Sequence, residues 1–361
     1  MGLGAQMEQL GRYRLTAPIG RGGMAEAWLA KLMGAFEFER LVVIKRILPH
    51  LCTDREFVRM FVAEARMCAR LHHATIVQVF ELGDCDGQLF MALEYVDGLD
   101  LARLMTATRA PQPPGLCALA AYEICRALAY AQSVSDERGR RLSIVHRDIS
   151  PSNVMLGYDG QVRLLDFGIA KALGAASDIH SVLGNLKGKL GYMPPEIFED
   201  RPFTHRSDLF AVGVLLHEML TGRRLFVSND RVETIRLLRE CRIAPPSHHG
   251  RRVPAALERV TMRALQRRPE DRFADAEEML AALEPIVHQL RWSARDTAAV
   301  LRRTTPPPAM LDPTATALPR GGDPLESDTL VEPASALRRA LAGAAAAVHD
   351  LAQSLSARRR R

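Results

Sequence analysis

Apolar positions in the first hundred residues come in short runs, alternating or continuous, broken by glycine and polar turns. Residues 13–19 and 27–31 flank a glycine cluster, as two strands joined by a tight turn would, and 41–47 is an apolar run rich in β-branched residues. Residues 54–71 differ. Phe57, Phe61, Ala65, Cys68 and Leu71 recur at four- and three-residue steps, one stripe of a helix. Residues 76–82 and 89–96 read as strands separated by a turn over 83–87. From 99 to 285 the helical period dominates, most clearly over 116–133 and 207–220, and two short strands near 154–156 and 162–165 interrupt it. The pattern predicts a strand-rich first third with one helix, then a helix-rich remainder, and shows no internal repeat. Residues 303–333, rich in Pro, Gly, Asp and Thr, read as a linker, and 335–357 regain a helical pattern.

Composition narrows the class. The chain has 361 residues, 47% hydrophobic and 25% charged, which suits a soluble globular protein and excludes a disordered or collagen-like chain. The six cysteines form no Cys-x-x-Cys pair, so no zinc ribbon or thioredoxin-type site is written here, and a reducing, cytoplasmic setting is expected. Residues 289–361 hold 11 Arg against 7 acidic residues, so most of the net charge of +6 sits there. The body is nearly neutral, which argues against a nucleic-acid-binding surface across it. Residues 1–14 lack an apolar run behind a basic start, and the Ala-rich stretch 341–348 falls far short of the ~20 residues of a membrane span. Neither a signal peptide nor a transmembrane segment is expected.

Only five residues are lysine: Lys31, Lys45, Lys171, Lys187 and Lys189. Lys45 closes the run Val42-Val43-Ile44-Lys45 in a buried-type strand, where an ammonium is costly without an acidic partner; Glu64 on the following helix suits better than Glu56, two turns earlier. A lysine leaving a strand edge for solvent is the plainer alternative. The cluster Gly20-Arg21-Gly22-Gly23-Met24-Ala25 lets backbone N–H groups approach phosphate oxygens, although such a turn is equally the tip of an ordinary hairpin. The third signal is an ordered set: His146-Arg147-Asp148-Ile149-Ser150-Pro151-Ser152-Asn153, then Asp166-Phe167-Gly168, then Pro194-Pro195-Glu196.

With these motifs in this order, residues 13–288 resemble the eukaryotic-like serine/threonine protein kinases of bacteria, in the myxobacterial-type branch with Ser in place of the catalytic-loop Lys. The resemblance implies an α+β bilobal fold. A small antiparallel-sheet lobe with one helix would span 13–96, and a larger, mainly helical lobe 99–288. A flexible linker (289–334) and an Ala-rich amphipathic helix with a basic Arg end (335–361) would follow. It implies transfer of the γ-phosphoryl of Mg-ATP, or Mn-ATP, to Ser/Thr hydroxyls of proteins, with autophosphorylation. Gly20, Gly22, Gly23 and Ala25 would cover the phosphates, with Ile19 beside them. Lys45 would contact the α/β-phosphates and pair with Glu64. Asp148 would orient the substrate hydroxyl and take its proton, and Asn153 and Asp166 would hold Mg²⁺. Glu94, Tyr95 and Val96 would be the adenine-binding hinge after gatekeeper Leu93; Asp100 would reach the ribose; Ala27, Val43 and Met155 would sandwich the purine. Glu196 would pair with Arg272, and Asp208 would tie down the catalytic loop. Cys68, Val79, His146 and Phe167 would stack between the lobes.

The chain departs from this pattern. Ala25 replaces the third glycine of the lid, and Ala27 the usual valine. Ser150 stands where such kinases carry a lysine, and Gly188-Lys189 where they carry Gly-Thr. The hydroxyl and the ammonium have changed places, so Lys189 is expected to serve the γ-phosphate; a pseudokinase that binds ATP or partners is the alternative reading. Asn185 occupies the usual phospho-acceptor position, leaving Ser177 and Ser181 as substitutes. Residues 337–361 carry six Arg against one acid, and a heptad-like seam runs through Leu337, Leu341, Ala344, Val348, Leu351 and Leu355. That tail would suit self-association, a partner or an anionic surface, with a loose solvated end as the plainer reading.

Overall fold

The computed structural model describes residues 8–168, 189–228, 230–250 and 252–305. Ser177, Ser181, Asn185 and the tail 335–361 lie outside the described residues. The first lobe is a six-stranded antiparallel sheet with strand order β1-β2-β3-β4-β6-β5. Its strands are β1 (Gln9–Leu10), β2 (Tyr13–Arg21), β3 (Ala25–Met33), β4 (Glu39–Ile47), β5 (Val79–Cys85) and β6 (Gln88–Glu94). Alternation decides which face is inward: Val42 and Ile44 of β4 are fully buried with Tyr13, Ala30 and Phe90, as period-2 side chains on a half-covered sheet should be. Helix α1 (Arg55–Cys68) packs near β5, and Asp54 caps it by accepting from the backbone N–H of Glu56 and Phe57. Its stripe Phe61, Ala65 and Cys68 is buried, as its spacing predicts.

The turn expected over 83–87 is shorter. β5 runs to Cys85, and only Asp86 and Gly87 turn the chain, both at positive φ. Gly83 lies inside the strand because the Phe90 ring occupies the space a Cβ would fill. Residues 76 and 77, expected in that strand, instead join the second lobe: Ile76 bridges Leu164, and the Val77 N–H donates to the Leu164 carbonyl.

The second lobe begins with β7 (Gly98–Asp100), α2 (Leu101–Thr108) and α3 (Pro114–Ser133). Strands β8 (Val154–Gly157) and β9 (Val162–Leu164) form a small sheet with β7. Helices α4 (His205–Thr221), α5 (Arg231–Glu240), α6 (Ala255–Ala264) and α7 (Ala276–Leu290) complete the body. α4 is apolar nearly all round, and every residue from Ser207 to Thr221 is buried; such a helix belongs at the centre of a core. α3 and α6 both pack on it.

Residues 289–334, expected as a flexible linker, are not one throughout. Ala294–Thr304 forms a further helix, α8, opened by a Ser293/Asp296 capping box. Its Thr297, Ala298, Val300 and Leu301 are buried, and it packs on α2 and β8. Trp292 enters the slot left by the missing side chain of Gly115 and donates its indole N–H to Thr297 Oγ1 at 3.0 Å. The Tyr158 hydroxyl donates to the Thr305 carbonyl, and Arg302 donates to the Tyr158 carbonyl. Burial of this apolar stripe outweighs the polar composition that suggested a linker.

Gly160 sits at φ +85 with the Ala294 carbonyl against the place its Cβ would occupy. Gly160→Ala is therefore expected to destabilise the fold by about 1–3 kcal/mol and to release α8 first. Urea titration would show a lower midpoint, and limited proteolysis would cut earlier within 291–305.

Candidate active site

The catalytic loop is held from below. Asp208, one residue inside the buried part of α4, accepts the backbone N–H of His146 at 2.7 Å and of Arg147 at 2.8 Å, one on each carboxylate oxygen. Burial pushes the Asp208 carboxyl up to about 7, while those two N–H groups and the Arg147 charge pull it back. Arg147 itself takes a left-handed φ of 64°. His146 Nδ1 accepts the Asp148 N–H, so Nε2 carries the ring proton and donates to the Leu165 carbonyl at 2.9 Å. The Gly168 N–H donates to the His146 carbonyl, and the Leu165 N–H to the Asn153 carbonyl. Residues 146–153 and 165–168 are thereby bonded into one unit.

The candidate chemistry sits on that unit. Asn153 Nδ2 donates at 2.8 Å to both the carbonyl and Oδ2 of Asp148. Lys189 Nζ lies 2.7 Å from the same Oδ2. Lys45 Nζ lies 2.8 Å from Glu64 Oε1 and 3.0 Å from Asp166 Oδ2. Burial works against the Lys45 ammonium, yet Asp166 and Glu64 outweigh it and hold its pKa above the ordinary lysine range. Burial pushes the Glu64 carboxyl up, against the pull of Lys45. Glu64, not the exposed Glu56 of the first helical turn, is thus the partner of Lys45.

Beside Lys45 opens a cleft of about 300 Å³, the size range of small-ligand sites. Strand register builds it: Ala27 faces Lys45 across β3/β4, Val43 faces Leu93 across β4/β6, and Asp100 faces Met155 across β7/β8. Ile19, Glu64, Glu94, Tyr95, Val96 and Asp166 also line it. Asp100 additionally caps α2 through the Arg103 N–H. Gly20, Gly22 and Gly23 stay outside the lining; the Gly22 N–H donates to the Ala25 carbonyl and closes the turn between β2 and β3. Asp148 lies in a small neighbouring hollow with Lys189, Ser150 and Tyr192. Cys68, Val79, His146 and Phe167 are all buried, with the His146 and Phe167 rings 4.5 Å apart.

Two further clusters support the hollow. Arg272 uses all five guanidinium N–H groups. Two go to Glu196 at 2.7 and 2.8 Å, and three to the carbonyls of Gln266, Arg206 and Arg267. Ser207 Oγ of α4 donates to Glu196 as well. Glu218, also on α4, accepts the Tyr192 hydroxyl at 2.5 Å and the Leu225 N–H, and pairs with Arg224 at 3.3 Å. Sequence reasoning missed Glu218, Ser152 as a cleft residue and the Lys45–Asp166 contact. An acid beside His217, after the apolar run 209–216, was the available signal for Glu218.

The sequence matches the protein kinase domain family over residues 13–283. The chain belongs to the protein kinase family. Among kinases it is similar to the tyrosine-protein kinase MasK of Myxococcus xanthus, 40% identical over 291 residues, covering 80% of this chain and 45% of that one. It is 32% identical over 276 residues to the serine/threonine-protein kinase PrkC of Bacillus subtilis, covering 76% of this chain and 40% of the relative. The chain thus spans less than half the length of these two kinases. The Mycobacterium tuberculosis PknI kinase domain superposes with a TM-score of 0.55 at 28% identity, covering 79% of this chain and 99% of that one. The antiparallel first lobe and helical second lobe are those of a kinase.

The Glu196–Arg272 pair yields a test. Arg272→Met leaves a buried carboxylate with Ser207 but without its cation, and is expected to cost about 3–5 kcal/mol. The double variant Glu196→Met/Arg272→Leu should recover most of that loss by denaturant titration, because it removes both charges together.

Proposed function

We propose that the chain is a serine/threonine protein kinase that transfers the γ-phosphoryl of Mg-ATP to hydroxyl groups of proteins, itself included. The observation that carries the reading is the Lys45–Asp166 contact in an apolar cleft, with Asn153 and Asp148 paired on the loop that is bonded to residues 165–168, in a chain of this family. The apolar walls Ala27, Val43, Leu93 and Met155 suit a purine, with the Glu94–Val96 backbone at its edge and Asp100 at the ribose. Lys45, lining the same cleft, supports the reading as the cation for the α- and β-phosphates. The amide oxygen of Asn153 and the carboxylate of Asp166 are the hard oxygen donors a magnesium ion prefers, with manganese as the alternative. A divalent ion bound there neutralises phosphate charge.

Asp148 orients the acceptor hydroxyl and takes its proton. The hydroxyl oxygen bonds to the γ-phosphorus while the bond from that phosphorus to the β-bridging oxygen breaks, releasing ADP. Pro151 in the loop and the name of PrkC support Ser/Thr acceptors; the name of MasK favours tyrosine as the second reading. Unpaired thiols at all six cysteines support a reducing, cytoplasmic setting. No described helix is long and apolar enough to cross a membrane.

Labelled ATP with Mg²⁺ or Mn²⁺ and a generic protein substrate tests the proposal. Label is expected on acid-stable phosphoserine or phosphothreonine. Asp148→Asn is expected to lower the rate by about 10²–10⁴-fold. Lys45→Met should abolish detectable label as well. Phosphotyrosine as the main product would turn the reading to tyrosine. Nucleotide binding by thermal shift with no label would turn it to a pseudokinase.

A further inference from the structure

Residue 150 of the catalytic loop is a serine, 2% exposed, with its Oγ 3.2 Å from Ser152 Oγ. It is short and buried, and brings no charge to Asp148. Positive charge arrives instead from the following part of the chain. Lys189 stands immediately before the turn Leu190–Tyr192, in which all three residues are buried. That turn is fastened to α4 through the Tyr192 hydroxyl and Glu218. The backbone carrying Lys189 is therefore held by the same helix that holds the catalytic loop through Asp208. From there the Lys189 side chain, 35% exposed, ends on Asp148 Oδ2.

A part-exposed ion pair contributes little to stability, about 0–1 kcal/mol. Its chemistry has more to offer. Two of the three described lysines thus meet the candidate carboxylates at separate points, Lys45 at Glu64 and Asp166, Lys189 at Asp148. Lys45 covers the inner phosphates. An ammonium in contact with the group that takes the hydroxyl proton lies beside the place where hydroxyl oxygen and γ-phosphorus meet. Charge stabilisation there acts on the transition state itself.

We infer that Lys189 is a catalytic residue whose ammonium contacts the γ-phosphoryl oxygens during transfer, supplying from residues 189–193 the charge that Ser150 does not supply from the loop. The inference rests on the kinase reading above. ADP lacks the group Lys189 contacts, so Lys189 also separates ATP from ADP in binding, whereas Lys45 treats the two alike.

The test uses the full chain and the variants Lys189→Met, Lys189→Thr and Ser150→Lys/Lys189→Thr, with two readouts. Calorimetry in Mg²⁺ gives the Kd of ADP and of the imido analogue of ATP; steady-state assays give kcat and KM on a generic protein substrate. Lys189→Met is expected to leave the ADP Kd within about twofold and weaken the ATP analogue several-fold. It should lower kcat about 10²-fold with little change in KM. The double variant is expected to regain at least about tenfold in kcat over Lys189→Thr, because the charge returns from position 150. Unchanged kcat with an unchanged ATP-to-ADP ratio overturns the inference. So does a loss in which both nucleotides weaken alike and the double variant recovers nothing, since Lys189 would then only hold Asp148 in place. If the wild-type chain transfers no phosphate, the kinase reading fails by itself, and the nucleotide ratio still decides: a ratio unmoved by Lys189→Met overturns the role of Lys189.

Discussion

A helix buried on every side must place its polar side chains inside the protein, and helix α4 uses three of them to bind the loops of the site. The three are Ser207, Asp208 and Glu218, while His217 turns to the Ala244 carbonyl. Each partner of those three is a segment that the chemistry needs in place: the Pro-Pro-Glu segment through Glu196, the catalytic loop through His146 and Arg147, and the 190–192 turn through Tyr192. An unpaired polar group at that depth costs about 1–3 kcal/mol, more if charged. The helix and the site are thus coupled in stability. A loop that leaves its place strands a buried carboxylate, so native geometry is the cheapest way to keep α4 in the core.

The first lobe meets this frame through one ammonium. Lys45 reaches α1 through Glu64 and residues 165–168 through Asp166, so one side chain bridges the sheet, its helix and the second lobe. The buried Glu64 and the part-exposed Asp166 share the one cation that offsets their charges. The cleft between the lobes therefore has a charged floor fixed by position and apolar walls set by strand register, the two halves of the candidate nucleotide site built by different forces.

Much of this was legible in the sequence, for identifiable reasons. Strands and helices with a one-sided apolar period, such as β4, α1 and α3, follow from burial of one face. Lys45 drew attention because a lysine ending an apolar strand needs a partner, and Glu64 rather than Glu56 proved to be that partner. Three features escaped. α8 was concealed by the exposed Arg295, Arg302 and Arg303 on its solvent side, although Ser293 and Asp296 form its capping box. Gly83 reads as a turn residue until the ring of Phe90 is known to need its space. Glu218 is a long-range effect: its worth depends on Tyr192 and Arg224, and no local pattern encodes them.

Arg147 and Asp166 share a feature with wider meaning. Both adopt positive φ, at 64° and 38°, where a side chain costs roughly 1–2 kcal/mol and glycine costs almost nothing. At each position the backbone alone would favour glycine, yet Asp166 brings the carboxylate that meets Lys45 and Arg147 the charge that faces the buried Asp208. Such a place is a conflict between folding and chemistry recorded in one residue. Glycine at either would relieve the backbone and remove one of those charge contacts in the same step. Local geometry and long-range electrostatics thus pull against each other at two single residues, and the electrostatics has prevailed at both.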